Sequence, residues 1–325
     1  MNVGIAKKGS SFAVLSLLLM LAFAGQARAG MPHYANGALG LGAATMPVPG
    51  WYYTNTSMYY SAKQIRDNNG NKISKSFSHP HQRLNFRMET FTNSHTVTYS
   101  SDFKIFGARW IANFTVPLVY YRMKATDTFD IPLPNRAGSS LDLLNKRSLG
   151  ISDLYTEPVV LSWGGDRYDI TLNTGVFIPV GRFDKTDPTS PGMGYWTIKP
   201  GAGFTWYFDR EKAWSFSLMA GYEFQFKQRE TNITPGEQFH YEWGLGKRFA
   251  SYWQVGVAGY DSWQITRDTG PDASPHKYQA HGIGPEINVV IPKLGGQLTL
   301  RSQWEYLNRN APQGSTTTLS LSFSF

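Results

Sequence analysis

The sequence predicts an all-β fold: a transmembrane, antiparallel, up-and-down β-barrel of about 12 strands, with long extracellular loops and short periplasmic turns. Three observations predict it. At the carboxy-terminus Leu319, Leu321, Phe323 and Phe325 alternate with Ser320, Ser322 and Ser324, the period-two pattern of a strand with one apolar and one polar face. Segment after segment upstream repeats this alternation, with charge or glycine on one face and aromatic-tipped apolar residues on the other. Aromatic residues make up 15% of the chain (10 Trp, 18 Tyr and 20 Phe), as membrane-interface girdles require.

Taken in order, residues 1–29 read as a signal peptide. Lys7 and Lys8 precede the apolar run Phe12 to Ala24, and Ala27-Arg28-Ala29 supplies a cleavage site before Gly30. That run is shorter than the roughly 20 residues a membrane-spanning helix needs. Residues 30–49, rich in glycine, alanine and proline, are expected to form a periplasmic lead-in. The barrel is expected over 50–325.

Strands are expected near 50–62, 82–102, 107–121, 150–162, 167–180, 196–208, 213–227, 237–248, 252–266, 280–291, 297–308 and 315–325. The best-formed alternate cleanly, as where Trp214, Phe216, Leu218, Ala220, Tyr222, Phe224 and Phe226 oppose Ser215, Ser217, Met219, Gly221, Glu223, Gln225 and Lys227. Linkers at 63–81, 122–149, 181–195, 228–236 and 267–279 are long and polar, and the intervening ones are short. This places both barrel ends in the periplasm. The parity of 82–106 slips around Asn93 to His95, which suggests a bulge or an extra hairpin there.

Bulk properties exclude several classes. Mean hydropathy is −0.33, as for a soluble protein, but in a barrel only alternate residues face lipid. The absence of cysteine removes thiol catalysis and cysteine metal sites. The formal charge of +8 falls to about +5 without Lys7, Lys8 and Arg28, and its scatter along an exported chain argues against nucleic-acid binding.

The inward parity gathers a candidate lumen lining: Arg87, Glu89, Arg109, Lys199, Glu223, Glu242, Arg248, Glu286, Arg301 and Glu305. Both signs occur on neighbouring strands. They could form a selective constriction, or an ion-paired interior that holds the barrel round; the second is the simpler reading.

Catalysis is not expected. No Gly-x-Ser-x-Gly elbow exists, and the neighbours Ser94 and His95 must point to opposite faces of one strand. His79 and His81 lie in a loop and lack a third ligand, so no metal or other cofactor is expected. Tyr195, Trp196 and Phe129 are candidates for a greasy entry path. The 122–149 loop, with Ile131, Leu133, Leu141, Leu143 and Leu144, is a candidate lid or plug.

Several short motifs, in order, resemble the outer-membrane protein family associated with the meta-pathway (MetA-pathway) of phenol degradation. They are Gly50-Trp51-Tyr52, the loop from Asp67 to Lys72, Val116-Pro117-Leu118, Gly150 to Leu154, Val257 to Tyr260, Gln264 to Thr266 and Gly282 to Glu286. Asp261-Ser262-Trp263 departs from the family's more uniformly aromatic pattern.

The resemblance implies a bacterial outer-membrane channel for passive uptake of small, aromatic or hydrophobic, solutes. The competing expectation is a non-conducting barrel with a structural, adhesive or lipid-binding role. Expected partners are outer-membrane lipid and lipopolysaccharide, a small-molecule solute, and the barrel assembly machinery acting through the strand that ends in Phe325. The barrel is expected to be a monomer.

Overall fold

The computed structural model describes residues 31–74, 82–129, 140–250 and 252–325. The expected signal peptide, His79, His81, Ile131 and Leu133 lie outside them. Among the described residues thirteen strands form one sheet: β1 (Gly50–Arg66), β2 (Gln82–Ile105), β3 (Ala108–Phe129), β4 (Ser140–Ile151), β5 (Leu154–Gly164), β6 (Tyr168–Ile178), β7 (Thr197–Tyr207), β8 (Trp214–Gln225), β9 (Gln238–Phe249), β10 (Trp253–Gln264), β11 (Gln279–Ile291), β12 (Gly296–Arg309) and β13 (Ala311–Ser324).

Neighbours pair antiparallel, and β1 pairs with both β2 and β13, which closes the sheet. β3 pairs with β5 along its lower half and with β4 along its upper half. Twelve strands therefore make the barrel, and β4 is an extra strand standing above β5 on the same neighbour. At the closing seam the amides of Trp51 and Phe325 donate to each other's carbonyls at 3.3 and 2.9 Å. The long loop expected at 122–149 is mostly strand: β3 continues to Phe129, and β4 begins at Ser140.

The burial pattern is the inverse of a soluble protein's. Along β8 and along β9 as far as Gly246 every second residue is buried, and these include Ser215, Ser217, Glu223, Gln238, His240 and Glu242. The exposed parity is apolar, with Ile170, Leu172, Phe204, Trp206, Phe224 and Leu245 among it. Hydrophobic side chains that turn outward while carboxylates turn inward are stable only against lipid, where the closed ring of twelve paired strands satisfies the backbone within the sheet.

The expected bulge or extra hairpin at Asn93 to His95 is absent. β1 and β2 pair without interruption from Gly50 opposite Ser100 to Ala62 opposite Met88. Alternation fails there because polar side chains occupy the outward parity and satisfy one another. Asn55 and Asn93 exchange amide hydrogen bonds at 3.1 and 3.2 Å, and Asn93 also donates to Ser57 at 2.9 Å. The unbroken register places Arg87 and Glu89 on the outer face, not in the lumen as expected.

Candidate functional site

Residues 31–48 do not hang below the barrel as a periplasmic lead-in; they run inside it. Their course begins near the upper, loop-bearing end. There the His33 ring lies 3.0 Å from Oδ2 of Asp153 and 3.0 Å from the Thr197 hydroxyl, stacked on Phe177. It ends at the lower rim, where the Tyr52 hydroxyl donates to the Val48 carbonyl at 2.8 Å.

The wall holds this segment mainly by its backbone. Glu223 on β8 accepts the amides of His33 and Tyr34 at 2.8 and 3.2 Å. Glu242 on β9 accepts those of Gly37, Ala38 and Leu39 at 2.8, 3.1 and 2.8 Å. Glu286 on β11 accepts that of Leu41 at 3.1 Å, and Asp169 on β6 that of Met46 at 3.3 Å. Arg301 on β12 donates to Glu286 at 2.8 Å and to the carbonyls of Gly37 and Ala38 at 2.7 and 2.9 Å. Arg109 donates to the carbonyl of Pro47. Hydrogen bonds to ionised groups are about twice as strong as neutral ones, so a buried carboxylate row satisfies the chain's amides without secondary structure of its own.

Small residues make the space. A β-carbon on Gly40 would meet the Glu286 carboxylate and the Arg301 guanidinium. One on Gly246 would stand 3.0 Å from both terminal methyls of Leu41, so the inward glycines of β9 form the seat of that side chain. Above it, Tyr34 stacks on His240 with ring centroids 4.4 Å apart.

Lys199 is buried, with its ammonium 3.7 Å from Glu157 and 5.0 Å above the Tyr34 ring. Glu305 accepts hydroxyls from Tyr60 and Tyr260 at 2.9 and 3.0 Å. Arg248 keeps the inward parity but is exposed at the lower rim.

Sequence reasoning missed His33, Asp153, Glu157 and Asp169. Asp153 sits at the break between β4 and β5 and also accepts the amides of Gly181 and Met193 at 2.9 and 2.7 Å, which ties the 179–196 loop to the segment. Trp196 is exposed, whereas Tyr195 is buried. Ser94 and His95 point to opposite faces, and His95 meets the Tyr53 hydroxyl at 2.7 Å on the outside.

The lumen is therefore two-sided. The wall from β5 to β12 is packed against the inserted segment. The wall formed by β13, β1, β2 and β3 presents half-buried hydroxyls instead: Ser320, Ser322, Thr54, Thr56, Thr96 and Thr98. Cross-strand pairs such as Thr54 with Ser322 at 2.9 Å and Thr96 with Thr115 at 2.8 Å hold them in a ladder. Above the ladder sits an apolar group of Ala62, Met88 and Met123, with Tyr60, Phe86, Tyr121 and Leu144 packed around it.

Fold and site together define a bacterial outer-membrane β-barrel whose lumen holds its own amino-terminal segment. Residues 62–321 match the family model described as "Putative MetA-pathway of phenol degradation", and the chain belongs to that family. No curated protein matches it in sequence.

Among solved structures, an outer membrane channel from Pseudomonas putida F1 superposes with a TM-score of 0.67 at 11% identity, covering 90% of this chain and 100% of that one. A Pseudomonas aeruginosa FadL homologue gives a TM-score of 0.45 at 8% identity, covering 91% and 99%. The monoaromatic hydrocarbon channel CymD gives 0.41 at 10%, covering 91% and 94%. At these identities the first likeness is one of fold.

Proposed function

We propose that the barrel is a channel for passive uptake of small aromatic or hydrophobic compounds, with solute passing along the wall that the inserted segment leaves uncovered. The single observation that carries this reading is the hydroxyl ladder of β13, β1, β2 and β3 beneath its apolar group. A phenol-like solute has an apolar ring and one group that both donates and accepts a hydrogen bond. The ring suits Met88, Met123 and Phe86 at the upper end. The hydroxyl can exchange partners stepwise along Thr96, Thr56, Ser320 and Ser322, none of which is charged. Sites that bind weakly and repeatedly favour conduction over capture. The family's description and the first structural likeness support a channel of this kind.

Liposome swelling with phenol, cresols, sugars and amino acids of matched size tests it. Phenols should enter several-fold faster than sugars. Equal rates, or no swelling by a well-folded barrel, would count against it.

The second reading, a closed barrel with a structural role, draws on the dense anchoring of the inserted segment by Glu223, Glu242, Glu286 and Arg301. Planar-bilayer recording separates the two: steady or solute-blocked current supports the channel, and silence supports the closed barrel.

A further inference from the structure

Outward side chains of β1 to β4 form successive rungs across neighbouring strands. Tyr59, Phe91, Tyr120 and Leu149 stand side by side as an apolar rung. The next rung upward holds Ser61, Glu89, Arg122 and Arg147. Above it come Arg87, Lys124 and Asn145, beside Lys63 at the bulge of β1. Rungs two residues apart lie roughly 7 Å apart along the strand, so the cations begin directly at the edge of the lipid-facing band.

Beyond Ala62 and Met88 the strands β1 and β2 part. The 72–74 segment enters between them, with the Ile73 amide on the Ile65 carbonyl at 3.0 Å and the Leu84 amide on the Ser74 carbonyl at 3.0 Å. The parting leaves a hollow whose lining includes Lys63, Lys72, Arg87, Arg122 and Lys124, together with Ile73 and Leu84.

Among the described residues, two carboxylates answer these cations on the outer face. Arg122 lies 3.6 Å from Glu89 and Lys124 lies 3.7 Å from Asp142, both long and partly solvated. Pairs of that kind contribute little. Among the described residues, Lys63, Arg87 and Arg147 have no carboxylate partner. On the far wall the corresponding outward positions hold the exposed Trp196 and Phe226, and the Asp261–His281 pair, 2.6 Å apart, is buried there.

We propose that this hollow binds the phosphate of an anionic glycolipid of the outer leaflet, with the acyl chains lying down over Tyr59, Phe91, Tyr120 and Leu149. Continuity with the lipid-facing band selects a lipid as the occupant. A phosphate monoester supplies the multiple charged acceptors that converging arginines and lysines match. Each lysine or arginine near an anionic membrane surface contributes about 1 kcal/mol of attraction, or roughly fivefold in affinity.

The test uses the purified barrel, delipidated in zwitterionic detergent and read by native mass spectrometry. Bis-phosphorylated lipid A should remain bound, a monophosphorylated form should bind more weakly, and phosphatidylcholine should not be retained. Arg87→Glu with Lys124→Glu should weaken lipid A binding at least tenfold, whereas Lys293→Glu in the lower turn should not change it. If the reversal prevents folding, judged by heat-modifiable migration, Arg87→Gln with Lys124→Gln should still lower binding severalfold. Equal retention by either folded double variant, or equal binding of phosphatidylcholine, overturns the proposal. Full competition by inorganic phosphate alone would assign the site to free phosphate and overturn it as well.

Discussion

The backbone amide of Leu39 donates to Oε2 of Glu242 at 2.8 Å, while the amides of Gly37 and Ala38 converge on the other oxygen at 2.8 and 3.1 Å. A carboxylate fully inside the barrel thus has main-chain amides as its direct partners at this point. Glu223 and Glu286 repeat the arrangement above and below it. The inserted segment is fixed by charge and register, and its side-chain sequence matters mainly through smallness.

Glu242→Gln should loosen the segment. Glutamine brings one acceptor oxygen and one donating amide NH2 to a place where three backbone amides point, so at least one donor is left unsatisfied, at about 1–3 kcal/mol. Amide exchange at residues 37–39 should quicken roughly ten- to a hundredfold, by the same scale. Unchanged protection at those amides would sink the anchoring role.

Removing the segment should open the lumen. Deletion of residues 31–46 removes the backbone amides that Glu223, Glu242, Glu286 and Asp169 accept, and water can replace them only by filling the vacated space. Single-channel conductance should rise several-fold and become cation-selective, because those carboxylates would then face the solution. A folded deletion variant with wild-type conductance would show that the segment does not limit the pore.

Arg301 and Glu286 form a buried pair at 2.8 Å with almost no exposure on either side. Arg301→Met alone should cost about 3–5 kcal/mol, because Glu286 would be left charged and without its cation. Combining it with Glu286→Gln should recover a large part of that loss. Urea unfolding in lipid vesicles measures both, and additive costs would refute the coupling.

The barrel strands were legible because lipid on one side and water or protein on the other impose strict alternation, as in Trp214 to Phe226. The break at Ser152 and Asp153 was not, since β4 carries Leu141, Asp142, Leu143 and Leu144 across a bulge and shows no clean period. The inserted segment left no side-chain period because the wall holds it mainly through its backbone amides and carbonyls. Its traces are its own glycines and alanines and the acidic residues of inward parity on the facing strands. Arg87 and Glu89 were placed inside because Asn93 and His95 broke the apolar parity; mutually bonded polar residues on the lipid side imitate a register slip.

That outward polar pair makes its own prediction. Asn93→Leu leaves Asn55 and Ser57 facing lipid without their partner and should destabilise the barrel by about 1–3 kcal/mol. Asn55→Leu with Asn93→Leu removes both ends of the reciprocal pair and should cost less than Asn93→Leu alone. A double variant less stable than either single would mean that the amide pair serves a contact other than its own satisfaction.

Acid should release the turn at Asp184 to Ser190 in the 179–196 loop. The Thr186 hydroxyl and amide, at 2.7 and 2.8 Å, hold the Asp184 carboxyl below its ordinary range. Asp187 is likewise lowered: although partial burial opposes it, hydrogen bonds from Thr189 and Arg182 prevail. A carboxylate whose folded pKa is depressed contributes stability above its unfolded value of roughly 4 and loses it as pH falls through the lower folded value. Protection of the Thr186 and Thr189 amides should therefore hold from neutral pH to about 4 and decline below that. Asp184→Asn should weaken protection at neutral pH and flatten the acid limb. Protection in the wild type that stayed constant down to strong acid would show that the turn does not depend on these carboxylates.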